Sequence, residues 1–230
     1  MVYGELGRTP LKIVSTTRVL GFWYRLIKSE ENKLSCLLYK VLHKMSLQDV
    51  YTSKWLEFVR NTLNNCGFSL YWINQDVPGS LKWFKSQLYQ RLCDQFKQNW
   101  SEEVCSSGKC VNYRMFKVNF EFEKYLIKLS PQLRRYVCRF RCRNHRLPVE
   151  LIHIVNLDDK KCTLCDLDEI GDEFHYLLKC TAFQRERSSL IKRYYYTRPS
   201  SLKLYSLMNS TGGDLIKLAK LVKTIMDTVR

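Results

Sequence analysis

Cys162-Thr163-Leu164-Cys165, then His175 after nine intervening residues and Cys180 after four more, place four metal-binding side chains within nineteen residues. A two-residue gap between cysteines lets a tight turn aim both thiolates at one ion, and the gap between His175 and Cys180 can return both to complete a tetrahedron. Zinc favours such a sulfur and nitrogen set. The spacing therefore predicts a zinc site built from Cys162, Cys165, His175 and Cys180. Because all four ligands come from the protein, no coordination position is left for a substrate or an activated water, so the predicted ion is structural. Such an ion contributes about 10 to 16 kcal/mol to local folding, as much as a typical domain's whole stability. The competing reading of the spacing is three buried thiols and one exposed histidine gathered by chance.

The remaining seven of the ten cysteines carry no comparable pattern. A chain of 230 residues with 45% hydrophobic content can bury its own core without disulfide staples. Cys36, Cys66, Cys93, Cys105, Cys110, Cys138 and Cys142 thus read as small hydrophobes or incidental loop thiols. No run approaches the roughly eighteen unbroken apolar residues of a membrane span. The opening residues lack the charged and apolar parts of a signal peptide, which predicts an intracellular location, nucleus or cytoplasm, and no membrane partner.

The pattern along the chain is helical, predicting a mainly α fold: a helical bundle-like region followed by a small zinc-knuckle module. Three stretches are expected: a helical region over 1–130, a basic helix with the knuckle over 131–197, and a helical tail over 198–230. Pro10 suits the first turn of a helix facing inward through Ile13, Leu20, Trp23 and Ile27. Leu34, Leu38, Val41 and Met45 predict a second inward stripe. A third helix is expected from Ser53 to about Asn65, with Gly67 at its left-handed end. Pro78-Gly79-Ser80 precedes a long helix with Phe84, Leu88, Leu92, Phe96 and Trp100 on its core face. Ser106, Ser107 and Gly108 predict a loop and boundary between Cys105 and Cys110, and a short strand is an option between Phe116 and Tyr125. Ser130-Pro131 starts a helix expected to reach Asn144, and Gly212-Gly213-Asp214 precedes a last helix with Leu218, Leu221, Ile225 and Val229 on one face.

Charge points to a polyanionic partner. Lys plus Arg number 38 against 22 Asp plus Glu, a formal +16, and such an excess repels itself unless a polyanion is often nearby. The densest basic stretch holds Arg134, Arg135, Arg139, Arg141, Arg143, His145 and Arg146. With Leu133, Val137 and Phe140 inward, Arg135, Arg139, Arg143 and Arg146 form a stripe suited to phosphates of RNA or DNA. The alternative is a solvated face or a set of pairs with acids elsewhere. Asp166, Asp168, Glu169, Asp172 and Glu173 between the ligand pairs would repel phosphate; they read as a solvated run in which Asp172 and Glu173 favour the start of the helix carrying His175.

Catalytic patterns are missing from the sequence. Asp158 and Asp159 lack the further carboxylate and hairpin of a two-metal site and read as a turn leading to Cys162. There is no phosphate-binding glycine loop, no nucleophile elbow and no second histidine placed to serve a Cys or Ser; His43 on its helix reads as packing, and His153 in its apolar run could replace a metal ligand only if the spacing reading fails. These observations predict no catalytic residues, no small-molecule substrate and no enzyme.

Four stretches resemble a known family. Val2-Tyr3-Gly4-Glu5-Leu6-Gly7-Arg8 with Pro10-Leu11, the run from Gln90 to Phe96, the run from Phe140 to Glu150, and Gly171-Asp172-Glu173-Phe174-His175-Tyr176-Leu177-Leu178-Lys179-Cys180 resemble the region downstream of the reverse transcriptase in LINE-type, non-LTR retrotransposon polyproteins. The resemblance spans Val2 to about Arg187. It implies a Cys-Cys-His-Cys knuckle at Cys162, Cys165, His175 and Cys180, a role in holding template RNA or target DNA, and an upstream reverse transcriptase domain as partner. The polymerase and endonuclease motifs of that family are not in this sequence. The chain departs from the pattern after Glu150, where Leu151-Ile152-His153-Ile154-Val155 replaces a Gly-Arg pair and further basic residues.

Overall fold

The protein's computed structural model describes residues 1–150 and 160–229. His153, the apolar stretch 151–155 and the Asp158-Asp159 pair lie outside the described residues. In chain order the helices are α1 (Val2–Leu6), α2 (Leu11–Ile27), α3 (Leu34–Leu47), α4 (Lys54–Asn65), α5 (Ser69–Asn74), α6 (Leu81–Ser106), α7 (Tyr113–Phe116), α8 (Tyr125–Lys128), α9 (Pro131–Arg141), α10 (Glu173–Leu178), α11 (Gln184–Leu190), α12 (Arg193–Tyr196), α13 (Ser201–Met208) and α14 (Gly212–Thr228). Among the described residues the only β pairing is an isolated antiparallel bridge, Lys161 with Ile170. The fold is therefore mainly α, and the region from Phe116 to Tyr125, where the sequence allows a strand, ends in short helices instead. None of the described helices is long and apolar enough to cross a membrane.

The chain divides into two units, one of residues 9–99 and one of 1–8 with 100–230. The expected stretch 1–130 thus contributes to both. In the 9–99 unit, Leu20, Trp23, Leu56, Val59, Leu63, Phe84 and Leu88 form the core. Helix α4 starts where Ser53 caps it, its hydroxyl accepting from the Leu56 amide at 3.2 Å, and ends just before Gly67 at φ +78°. Helix α3 forms as expected but turns the other way. Cys36, Tyr39 and Ser46 face inward, leaving Leu34, Leu38 and Val41 exposed. The Tyr39 hydroxyl explains that rotation. It accepts from the Trp23 indole at 2.8 Å and donates to Gln75, and this buried polar group finds partners only if α3 presents it inward.

The second unit is organised around α14, whose Leu218, Leu221, Val222 and Ile225 are buried. Helices α9, α10, α11 and α13 pack against it. Leu177, Leu178, Cys162 and Cys180 join the same core, so the segment expected as a separate small module shares its interior with the surrounding helices. The first eight residues dock here too. Gly4 lies against Trp100, where an added Cβ would come within 2.5 Å of the indole, and Gly7 takes φ +56° beside the Phe122 backbone. Helix α9 stops at Arg141, short of the expected Asn144. The Asn144 amide bonds back to the Arg139 carbonyl at 2.8 Å and Arg143 takes φ +52°, so a left-handed helix stop is made by arginine where glycine is the usual residue.

Candidate metal centre

The segment after Lys160 doubles back on itself. The Cys162 amide donates to the Glu169 carbonyl at 2.9 Å and the Gly171 amide to the Lys160 carbonyl at 2.8 Å, closing a loop with Cys162 and Cys165 in its first half. Gly171 allows the return. A Cβ there would sit 2.9 Å from the Pro148 ring. Helix α10 then begins, with the Asp172 carboxylate accepting from the His175 amide at 2.8 Å as the N-cap. His175 falls in the first turn and Cys180 just past the last, both buried.

The donor atoms of Cys162, Cys165, His175 and Cys180 all lie within 4.8 Å of one another. Cys162 Sγ is 3.8 Å from Cys180 Sγ, and Cys165 Sγ is 3.3 Å from His175 Nε2. Metal–sulfur bonds of about 2.3 Å and metal–nitrogen bonds of about 2.0 Å in a tetrahedron separate sulfurs by roughly 3.7 Å and sulfur from nitrogen by roughly 3.5 Å. The cluster can hold a metal ion, and its donor set and spacing fit structural zinc.

Two features beyond the tetrad support that fit. His175 Nδ1 lies 3.1 Å from Glu169 Oε2, which leaves Nε2 aimed among the sulfurs, the arrangement by which a carboxylate fixes a ligating imidazole. Lys179 holds the other Glu169 oxygen at 2.7 Å. Burial opposes ionisation of Glu169, but Lys179 and then His175 outweigh it and keep its carboxyl below the usual range. The Tyr176 hydroxyl is buried beside Cys162, and burial followed by its interaction with that thiol raises its pKa. A phenol donor beside a cysteine is suited to a thiolate, the form a metal selects.

Arg187 closes the far side. Its guanidinium is buried and donates to the carbonyls of Leu177 at 2.8 Å, Tyr176 at 3.2 Å and Cys180 at 2.7 Å, satisfying the open end of α10. Glu173 ties α10 to the basic stretch by accepting from Asn112 at 2.6 Å and pairing with His145 at 2.8 Å. Burial opposes its ionisation, but His145 and then Asn112 hold its carboxyl below the usual value. Sequence reasoning misses Glu169 and Arg187 as supports. The run of acids hides the first, and an arginine seven residues after Cys180 carries no signal for the second. Only Asp166 and Asp168 are exposed as a solvated run would be.

The basic residues separate into two sets, which corrects the expectation of one surface. Arg141 is buried, donating to Glu5 at 2.9 and 3.3 Å and to the Met208 carbonyl at 3.0 Å, with Glu123 at 3.2 Å. It lies over the rings of Phe116 and Tyr125. His145 is buried against Glu173, and Arg143 pairs with Glu150 and donates to the Gly108 carbonyl at 2.8 Å. These three are internal because each meets a carboxylate from another segment. Arg134 is half-buried and donates to the Leu126 carbonyl at 2.6 Å. Arg135 and Arg146 are exposed, and half-buried Arg139 donates through Nε to the Asn144 carbonyl at 3.0 Å. No protein-family model, curated protein or solved structure matches the chain.

Proposed function

We propose that this chain is a non-catalytic, zinc-stabilised nucleic-acid-binding module related to the C-terminal region of non-LTR retrotransposon reverse transcriptases. The observation that carries the reading is the tetrad, whose three sulfurs and one imidazole nitrogen converge with the second imidazole nitrogen held by Glu169. Four protein ligands leave the ion no open position, so zinc acts on folding and not on a substrate. Binding to RNA or DNA is supported by the +16 formal charge and by Arg135 and Arg146, which remain exposed in the basic stretch. The upstream reverse transcriptase domain that the resemblance implies is the partner for which such a module would hold template or target.

Metal analysis of the purified chain tests the first half: about one zinc per chain is expected, and loss of the metal in a Cys162→Ser/Cys165→Ser variant. A folded chain without metal would sink it. Binding to labelled RNA and DNA over a range of salt tests the second half, where affinity should fall steeply as salt rises. A second reading, a protein-interaction scaffold with incidental charge, is favoured by the exposed Leu34, Leu38 and Val41 of α3. A stable complex with another protein that survives nuclease, together with a flat salt response, would support it instead.

A further inference from the structure

We propose that the groove along α9, which reaches the last turn of α14 at one end, is a site for single-stranded nucleic acid, with Arg135, Arg139 and Arg146 on the phosphates and Tyr136 against a base. This rests on the nucleic-acid reading above and adds the place and the form of the ligand. Two hollows share Tyr136 and Arg139 as walls. One, of about 280 Å³, adds Arg146, Met226 and Asp227, and the other, of about 500 Å³, adds Arg135. Volumes of that order are those of small-ligand pockets.

Charge selects the ligand class. Arg135, Arg139 and Arg146 make no ion pair among the described residues, in contrast to Arg141 and Arg143 nearby. Three guanidinium groups thus line the groove, and among the described residues the carboxylate beside them is Asp227, which accepts from the Tyr136 hydroxyl at 2.7 Å. Arg135 and Arg139 are one helical turn apart, about 6 Å along α9, so they can engage different phosphates of one strand.

Shape selects the strand form. A duplex keeps its bases stacked and would offer this groove only phosphates, whereas an unpaired strand can place a base beside an aromatic ring and Met226 while its backbone meets the arginines. A carboxylate-bearing protein would satisfy the guanidiniums and leave the hollows beside the Tyr136 ring unused.

The test is fluorescence anisotropy on the full chain, using a labelled mixed-sequence single strand of RNA, the same sequence as DNA, and the corresponding duplex. Wild type should prefer either single strand to duplex. Arg135→Ala/Arg139→Ala/Arg146→Ala should lower the slope of log affinity against log salt by about 2 units, roughly 0.7 for each phosphate no longer neutralised. Tyr136→Leu should weaken single-strand binding roughly 5- to 150-fold with little effect on duplex, and Tyr136→Phe should restore it, since stacking needs the ring and not the hydroxyl. Lys217→Ala/Lys220→Ala, exposed on α14 outside both hollows, is the control for removal of positive charge. Circular dichroism on each variant confirms that it folds. If wild type binds no nucleic acid at low salt, the functional reading falls and this inference with it. If wild type binds but the arginine variant binds equally well, the lysine control loses as much per charge, or duplex is preferred, the groove is wrong while the functional reading stands.

Discussion

Arg135 and Arg141 sit on the same helix and differ in everything that decides what a charged side chain is for. Arg141 is enclosed by Glu5, Glu123, the Met208 carbonyl and two aromatic rings. Removing one partner of a buried pair leaves the other charge without compensation, at a cost of about 3 to 5 kcal/mol. Arg141→Met should therefore lower stability by that amount in urea unfolding. Arg135→Ala, at an exposed position without an ion pair, should change it by no more than about 0.5 kcal/mol. Equal effects of the two substitutions would contradict the division of the basic stretch into internal and surface sets. Gly4→Ala belongs at this scale too. Its methyl would press on Trp100, and overpacking of this kind costs about 1 to 3 kcal/mol. Periodicity can assign Val137 and Phe140 to the core, but it cannot reveal that Arg141 joins them, because the carboxylate that draws it inward is Glu5, far away in sequence.

At the scale of elements, local chemistry marks some boundaries and fails at others for identifiable reasons. Helix α4 is legible at both ends because Ser53 and Gly67 act through bonds and backbone angles that belong to the helix itself. Helix α9 is shorter than its sequence suggests because its stop is Arg143, a residue with no intrinsic preference for the left-handed conformation it adopts. Helix α3 is legible as a helix, but its inward face is not. Counting apolar side chains favours Leu34, Leu38 and Val41, while the buried bond from Trp23 to Tyr39 governs its rotation. The four tetrad residues are legible from spacing, since spacing is what a tight metal site constrains. Their supports are not. Glu169→Gln should retain one zinc per chain yet weaken its affinity by about 10- to 100-fold in competition with a chelator, because the amide is a poorer partner for the His175 ring and for Lys179. Unchanged affinity would mean that Glu169 is incidental to the site.

Across the whole molecule, the division at residues 99 and 100 has no signature in the sequence, for α6 runs unbroken from Leu81 to Ser106 without a glycine, proline or loop at that point. The second unit also recruits residues 1–8, whose Glu5 and Gly4 find their partners far along the chain. Composition read in order along the sequence cannot anticipate such a grouping. It has a consequence for metal removal. All four tetrad residues belong to the second unit, and Cys162 and Cys180 share its core with Leu218, Leu221 and Ile225 of α14. The 9–99 unit has its own core around Trp23, Leu56 and Phe84 and contributes no ligand. Hydrogen exchange before and after chelation should therefore show amides of α10, α11 and α14 losing protection while those of α2, α4 and the first half of α6 keep theirs. Loss of protection in both sets at once would mean that the two cores fold as one cooperative unit. No loss in either would mean that packing around α14 suffices without metal, and the tetrad would then contribute far less than the roughly 10 kcal/mol expected of a structural zinc.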